Sequence, residues 1–182
     1  MIRTKINNNE ENSNQKRISW QDYLIWSIYG SSIISQMVLI FFFYNYYNLN
    51  LLNWLGWGFF GLFCVIGALP RYEFKKKGEA EEGKSFIHTT KLVTTGIYAI
   101  IRHPYWLCWI LLSVSLAFLS QHWIMVILAI LAISFVYLET FKLDNGLIEK
   151  FGEEYKRYMK RVLRINLLLG LIIYFIRTSK KN

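Results

Sequence analysis

The run Tyr23–Tyr44 contains no Lys, Arg, Asp, Glu or His, and that feature constrains the fold more than any other. As an α-helix it reaches roughly 33 Å at about 1.5 Å per residue, enough to cross a hydrocarbon core about 30 Å thick. Three further segments read the same way: Leu51–Leu69, the shorter Tyr105–Leu119, and Trp123 to about Phe141. The whole chain agrees, being 54% hydrophobic and only 18% charged over 182 residues, a composition unsuited to a water-soluble domain. The expected fold class is therefore all-α, a polytopic membrane helical bundle with four transmembrane helices and an amphipathic C-terminal helix on the cytosolic side. A fifth span arises if Ile165–Ile176 crosses. That stretch is short and is followed by Arg177, Lys180 and Lys181, which favours a packed or re-entrant helix instead.

Charge supplies the orientation. The Asn45–Asn50 link and the Ser120–Gln121–His122 turn hold no Lys or Arg, so they are expected to face away from the cytoplasm. The 21 basic residues then gather on the cytoplasmic face, together with both termini. The net charge of +9 flanks apolar segments, and an anionic lipid surface accounts for it without nucleic acid as a partner. Residues 1–20, rich in Asn and charge, read as a disordered cytosolic tail. Residues 21–177 read as one membrane-embedded domain and 178–182 as a short tail. Cys64 and Cys108 both lie in apolar segments and suggest neither a disulfide framework nor a metal site. No internal repeat is evident.

The third and fourth segments are joined by a turn of about three residues, so they form an antiparallel helical hairpin. Arg102 and His103, just before the first arm, are thereby expected beside Glu139 and Asp144, at the end of the second. Carboxylates near hydrocarbon are costly without partners, and Arg102, His103 or a cationic ligand would supply them. Two readings of the first arm stay open. In one, Pro104 simply starts a helix while Arg102 snorkels and Tyr98, Tyr105, Trp106 and Trp109 form an interfacial belt. In the other, the positive end of this helix, with Arg102 and His103, holds an anionic group. Downstream, Leu147, Phe151, Tyr155, Tyr158 and Val162 recur at helical spacing, an apolar stripe beside a basic face that predicts an amphipathic surface helix.

Together the two stretches resemble the integral-membrane methyltransferases typified by isoprenylcysteine carboxyl methyltransferase and its phospholipid methyltransferase-like relatives. The resemblance runs from about Leu92 to Arg164. Thr95, Gly96, Tyr98, Arg102, His103 and Pro104 match a T-G-x-Y-x-x-x-R-H-P-x-Y-x-G pattern, and Leu147, Phe151, Gly152, Glu154 and Tyr155 match L-x-x-x-F-G-x-E-Y. The chain departs from the family pattern with Trp106 for Tyr, Cys108 for Gly, Leu143-Asp144 for paired acids and Leu163 for Pro.

The resemblance implies an S-adenosylmethionine-dependent transferase with a cytosol-facing cofactor pocket and a lipophilic substrate entering from the bilayer. It implies Arg102, Asp144 and Glu139 as catalytic residues, and Tyr98, His103, Pro104, Trp106, Cys108 and Asp144 as cofactor-binding residues. An ionised carboxylate acceptor needs no base, whereas an amine acceptor would need Asp144 or Glu139 to take its proton. The competing expectations are an NADPH-dependent membrane reductase, for which the chain is short, and a non-catalytic membrane protein carrying relic motifs.

Overall fold

The computed structural model describes residues 20–77 and 91–179. The N-terminal tail up to residue 19, residues 78–90 of the long connection, and residues 180–182 lie outside the described residues. Among those described there are five α-helices: α1 (Trp20–Phe43), α2 (Asn50–Lys77), α3 (Pro104–Ser120), α4 (Trp123–Arg161) and α5 (Leu167–Ser179). A short 3-10 turn, Gly96–Ala99, precedes α3. The only strand-like pairing among the described residues is an isolated parallel bridge between Ile101 and Leu163.

Three helices, α1, α2 and α4, are long and apolar enough to cross a membrane, while α3 and α5 are shorter apolar helices of 17 and 13 residues. Helix α3 is about 25 Å long at 1.5 Å per residue, and its Leu107, Leu111, Leu112, Leu116 and Leu119 are all buried. It packs chiefly against α2, and α4 packs against both α1 and α3. Large apolar side chains turn outward elsewhere, with Phe41 86% and Trp54 75% exposed. That inverted surface is what a hydrocarbon solvent permits. Backbone polar groups must then be satisfied internally, which helices do.

Lipid tails are as apolar as the core, so the helices need close packing and interior polar ties to hold together. Gly56 supplies the first, since a Cβ there would come within 2.7 Å of Leu119 Cγ across the α2–α3 contact. Beside it, Ser115 Oγ donates to the Gly56 carbonyl at 2.9 Å. Gln36, fully buried, links three helices. Its Oε1 accepts from Ser113 Oγ at 2.7 Å, and its Nε2 donates to the carbonyls of Ser113 and Met125 at 3.3 and 3.1 Å.

At one end of the bundle the α3–α4 turn is fastened to the α1–α2 link. The amides of Asn45 and Tyr46 donate to the carbonyls of Leu119 and Ser120. Gln121, left-handed at φ 58°, bonds Asn45 Oδ1 and both backbone groups of Leu49 through its side chain. This fixes the expected antiparallel hairpin. Pro104, Asp144 and the 3-10 turn consequently share the opposite end.

Helix α4 runs well past the apolar part that ends near Phe141, continuing through the charged stretch expected as an amphipathic helix. Gly152, at φ 56° and ψ −131°, breaks its helical geometry, a conformation open essentially to glycine alone. The kink turns the stripe inward, so that Tyr155, Tyr158 and Val162 form a buried cluster with Leu92, Leu147, Ile148 and Phe151. The stripe thus packs on the chain itself. Ile165–Ile176 is mostly taken up by α5, about 20 Å long and apposed to the 3-10 turn at Gly170, where a Cβ would lie 2.5 Å from the Ile100 carbonyl oxygen.

Candidate active site

Four elements converge on Asp144. The hairpin places it next to the start of α3, where His103 is held out of the helical region at φ −121°, ψ 62°, as a residue before proline is. The Arg102–His103 pair takes up a partner segment. The amides of Arg102 and His103 donate to the carbonyls of Leu163 and Arg164 at 2.8 and 3.0 Å. The chain leaving α4 is thereby drawn back beneath the start of α3, carrying the Arg164 side chain to Asp144.

The carboxylate of Asp144 is saturated. Its Oδ1 accepts from Arg102 Nη1 at 2.9 Å, His103 Nε2 at 2.8 Å and the Tyr155 hydroxyl at 2.6 Å. Its Oδ2 accepts from Arg164 Nε at 2.9 Å and forms an ion pair with Nη2 of the same guanidinium, also at 2.9 Å. The Arg164 guanidinium also lies 3.6 Å over the Phe141 ring, where the π-face favours a cation. Asp144 lies beyond the apolar part of α4. Burial works to raise its pKa, but the hydrogen bonds from His103 and Tyr155 and the charges of His103 and Arg102 outweigh it, and the carboxyl falls from its ordinary 3.8 to about 2. An ionised carboxylate only accepts, so the His103 Nε2 carries the proton. Burial and the bond to Asp144 raise the Tyr155 phenol, keeping it a donor.

Two features leave the cluster electrostatically open. Two guanidinium groups face one carboxylate, so Arg102, Arg164 and Asp144 together carry an excess positive charge. Arg102 Nε is buried with no hydrogen-bond partner among the described residues, and such an orphan costs free energy until an acceptor arrives.

Of the residues singled out from sequence, Arg102, His103 and Asp144 meet. Pro104 is buried as the first residue of α3 and sets the helix start. Tyr98 joins through its backbone, since its carbonyl accepts from the Tyr158 hydroxyl at 2.6 Å. Glu139 is buried on the inward side of α4, and no hydrogen bond reaches its Oε2 among the described residues. It does not share the partners of Asp144. Trp106 turns toward α1, edge-on to Tyr29 at 6.1 Å, and lines a groove of about 320 Å³ with Ile33 and Met37. Cys108 is buried among Ile66, Ile101 and Leu111, facing Gly67 of α2. Neither contributes a hydrogen bond to the Asp144 cluster.

The sequence reading left out Arg164 as a site residue and took Tyr155 only as a motif position. No spacing rule reaches them. Their proximity to Asp144 depends on the Gly152 kink and on a two-residue backbone pairing. Among the described residues no group of three or more His, Cys, Asp or Glu side chains is arranged to hold a metal ion.

No curated protein and no solved structure matches the chain. What does match is the model of the isoprenylcysteine carboxyl methyltransferase (ICMT) family, over residues 83–145, a segment that takes in Thr95–Pro104, the α3–α4 hairpin and Asp144 and supports a membrane methyltransferase.

Proposed function

We propose that the chain is an S-adenosylmethionine-dependent methyltransferase acting on a lipophilic acceptor, with isoprenylcysteine carboxyl O-methylation as the preferred reaction. The observation that carries this reading is the contact of Arg102 and His103 with Asp144 within the segment matched by the ICMT family. The residues present fit the methyl donor. Its carboxylate suits a cluster with surplus positive charge and a buried, unpartnered Arg102 Nε. Its ribose or amino group suits Asp144.

When bound, the donor supplies an electrophilic methyl group on a sulfonium centre. The chain's residues then act by position. Arg102 and His103 orient an anionic group, and the buried walls around Ile101, Pro104 and Tyr155 exclude water from it. Asp144 bonds a ligand only by exchanging a partner, and Arg164, with 19% of its side chain exposed against 8% for Arg102 and 6% for His103, is the one that yields. Asp144, held at about 2, is a poor base and leaves an amine protonated. A carboxylate acceptor is ionised near neutral pH and requires no base, which supports carboxyl methylation over amine methylation. On this reading the Asp144 end faces the cytoplasm, because the basic residues of α4 and α5 lie there while Asn45–Asn50 and Ser120–His122 carry none.

The test is calorimetry on the full chain in detergent with S-adenosylmethionine, S-adenosylhomocysteine and NADPH, followed by transfer of a labelled methyl group to a prenylated cysteine peptide. Binding of the first two ligands, weakened in Arg102→Ala, and label recovered as a base-labile ester are expected. Binding of NADPH alone, or of none of the three, overturns the proposal.

A further inference from the structure

A second cavity, of about 890 Å³, opens at the same end of the bundle, and none of Arg102, His103, Asp144 or Arg164 lines it. Its walls come from three places: the segment around Leu92–Ala99, the part of α4 beyond Gly152, and the end of α5. Arg157 and Arg161, four residues apart, share one face of α4, and Arg177 enters from α5. The Arg177 guanidinium donates to the Arg161 carbonyl, which ties α5 to the end of α4 and gives the pocket its third side. Glu154 is the single carboxylate among the lining residues, so three guanidinium groups leave an excess of two positive charges. No ion pair among the described residues engages Arg157 or Arg161, whereas the neighbouring Lys156 is occupied by Glu153 at 2.7 Å. Thr94 and Tyr174 add hydroxyls to the lining.

This charge rules on the ligand class. A phosphate group is suited, because guanidinium binds phosphate through paired, charge-assisted hydrogen bonds. Helix α5 indicates how the group arrives. Its face opposite Tyr174, Arg177 and Thr178 exposes Leu168, Leu169, Ile172, Phe175 and Ile176, which sets the pocket at the border of the bilayer. Basic pockets at the membrane surface capture anionic headgroups in this manner.

We propose that the Arg157–Arg161–Arg177 pocket is a binding site for a phosphate group, presented by an anionic phospholipid. The site is separate from Asp144 and stands whether or not the chain transfers methyl groups. Tyr158 connects the two places, lining the pocket while its hydroxyl holds the Tyr98 carbonyl.

The test uses the full chain in detergent micelles, with native mass spectrometry counting retained phosphatidic acid or phosphatidylcholine. A second arm adds inorganic phosphate as competitor. Preferential retention of phosphatidic acid, reduced about thirtyfold in affinity by R157Q/R161Q, is expected. Displacement by millimolar inorganic phosphate would show that the site also takes the group from solution and supports the same chemistry. K156Q/K160Q removes equal charge from side chains outside the pocket lining and is expected to leave retention within about twofold. If that variant weakens retention as much as R157Q/R161Q, or if phosphatidylcholine is held as well as phosphatidic acid, the proposal is overturned. The single exposed substitution R157Q preserves the comparison should the double variant unfold.

Discussion

Asp144 carries both structural and chemical duties, and its substitutions separate them. Removing the carboxylate in Asp144→Ala leaves the guanidinium groups of Arg102 and Arg164 near each other with no counter-charge, and breaking a buried ion pair from one side costs about 3–5 kcal/mol. A fall of that size in unfolding free energy, read by denaturant titration in detergent, is the expected outcome. Asp144→Asn keeps an acceptor oxygen and should lose less. The pH dependence follows from the direction of the shift. The folded carboxyl titrates at about 2, below its ordinary 3.8, so its contribution is complete above about pH 4 and is lost as pH falls toward 2. The thermal midpoint should fall more steeply below about pH 4 in the parent chain than in Asp144→Asn.

Among the elements, the kink in α4 decides where the second half of the site goes. Gly152→Ala would meet no neighbour within 4 Å, so any loss comes from backbone strain alone, on the order of 1–3 kcal/mol. If the helix instead straightens, Tyr155 and Arg164 leave Asp144, and weaker binding of S-adenosylhomocysteine than in the parent would report it by calorimetry. The sequence made one half of this site legible and hid the other. Arg102, His103 and Asp144 were readable together because a hairpin with a three-residue turn leaves few ways to place its ends. The long charge-free runs likewise fixed the apolar helices, since no other solvent accepts them. Arg164 was hidden because its position rests on hydrogen bonds between Leu163, Arg164 and the backbone of Arg102 and His103, which side-chain patterns do not encode. The stripe from Leu147 to Val162 was visible as apolar, but amphipathicity alone does not distinguish a bilayer surface from the chain's own Leu92 as the covering layer.

Across the whole molecule, interior polar ties join the helices where apolar packing alone gives little preference over lipid. Gln36→Leu would strip Ser113 Oγ of its acceptor and the Met125 carbonyl of a donor, at about 1–2 kcal/mol, seen as a lower midpoint in detergent with donor binding unchanged. Orientation is testable in intact cells by cysteine accessibility in a chain with Cys64 and Cys108 replaced. An impermeant thiol reagent should label Asn48→Cys and leave Lys150→Cys unlabelled until the membrane is opened. The parallel pairing of Ile101 with Leu163 also has a bearing on engineering. A protein ended after Arg161 would retain every recognisable signature residue, yet it would forfeit the acceptors that hold the Arg102 and His103 amides, along with the cation that caps Asp144. Signature-bearing fragments of this chain should therefore be inert, and fusion partners belong at the amino end.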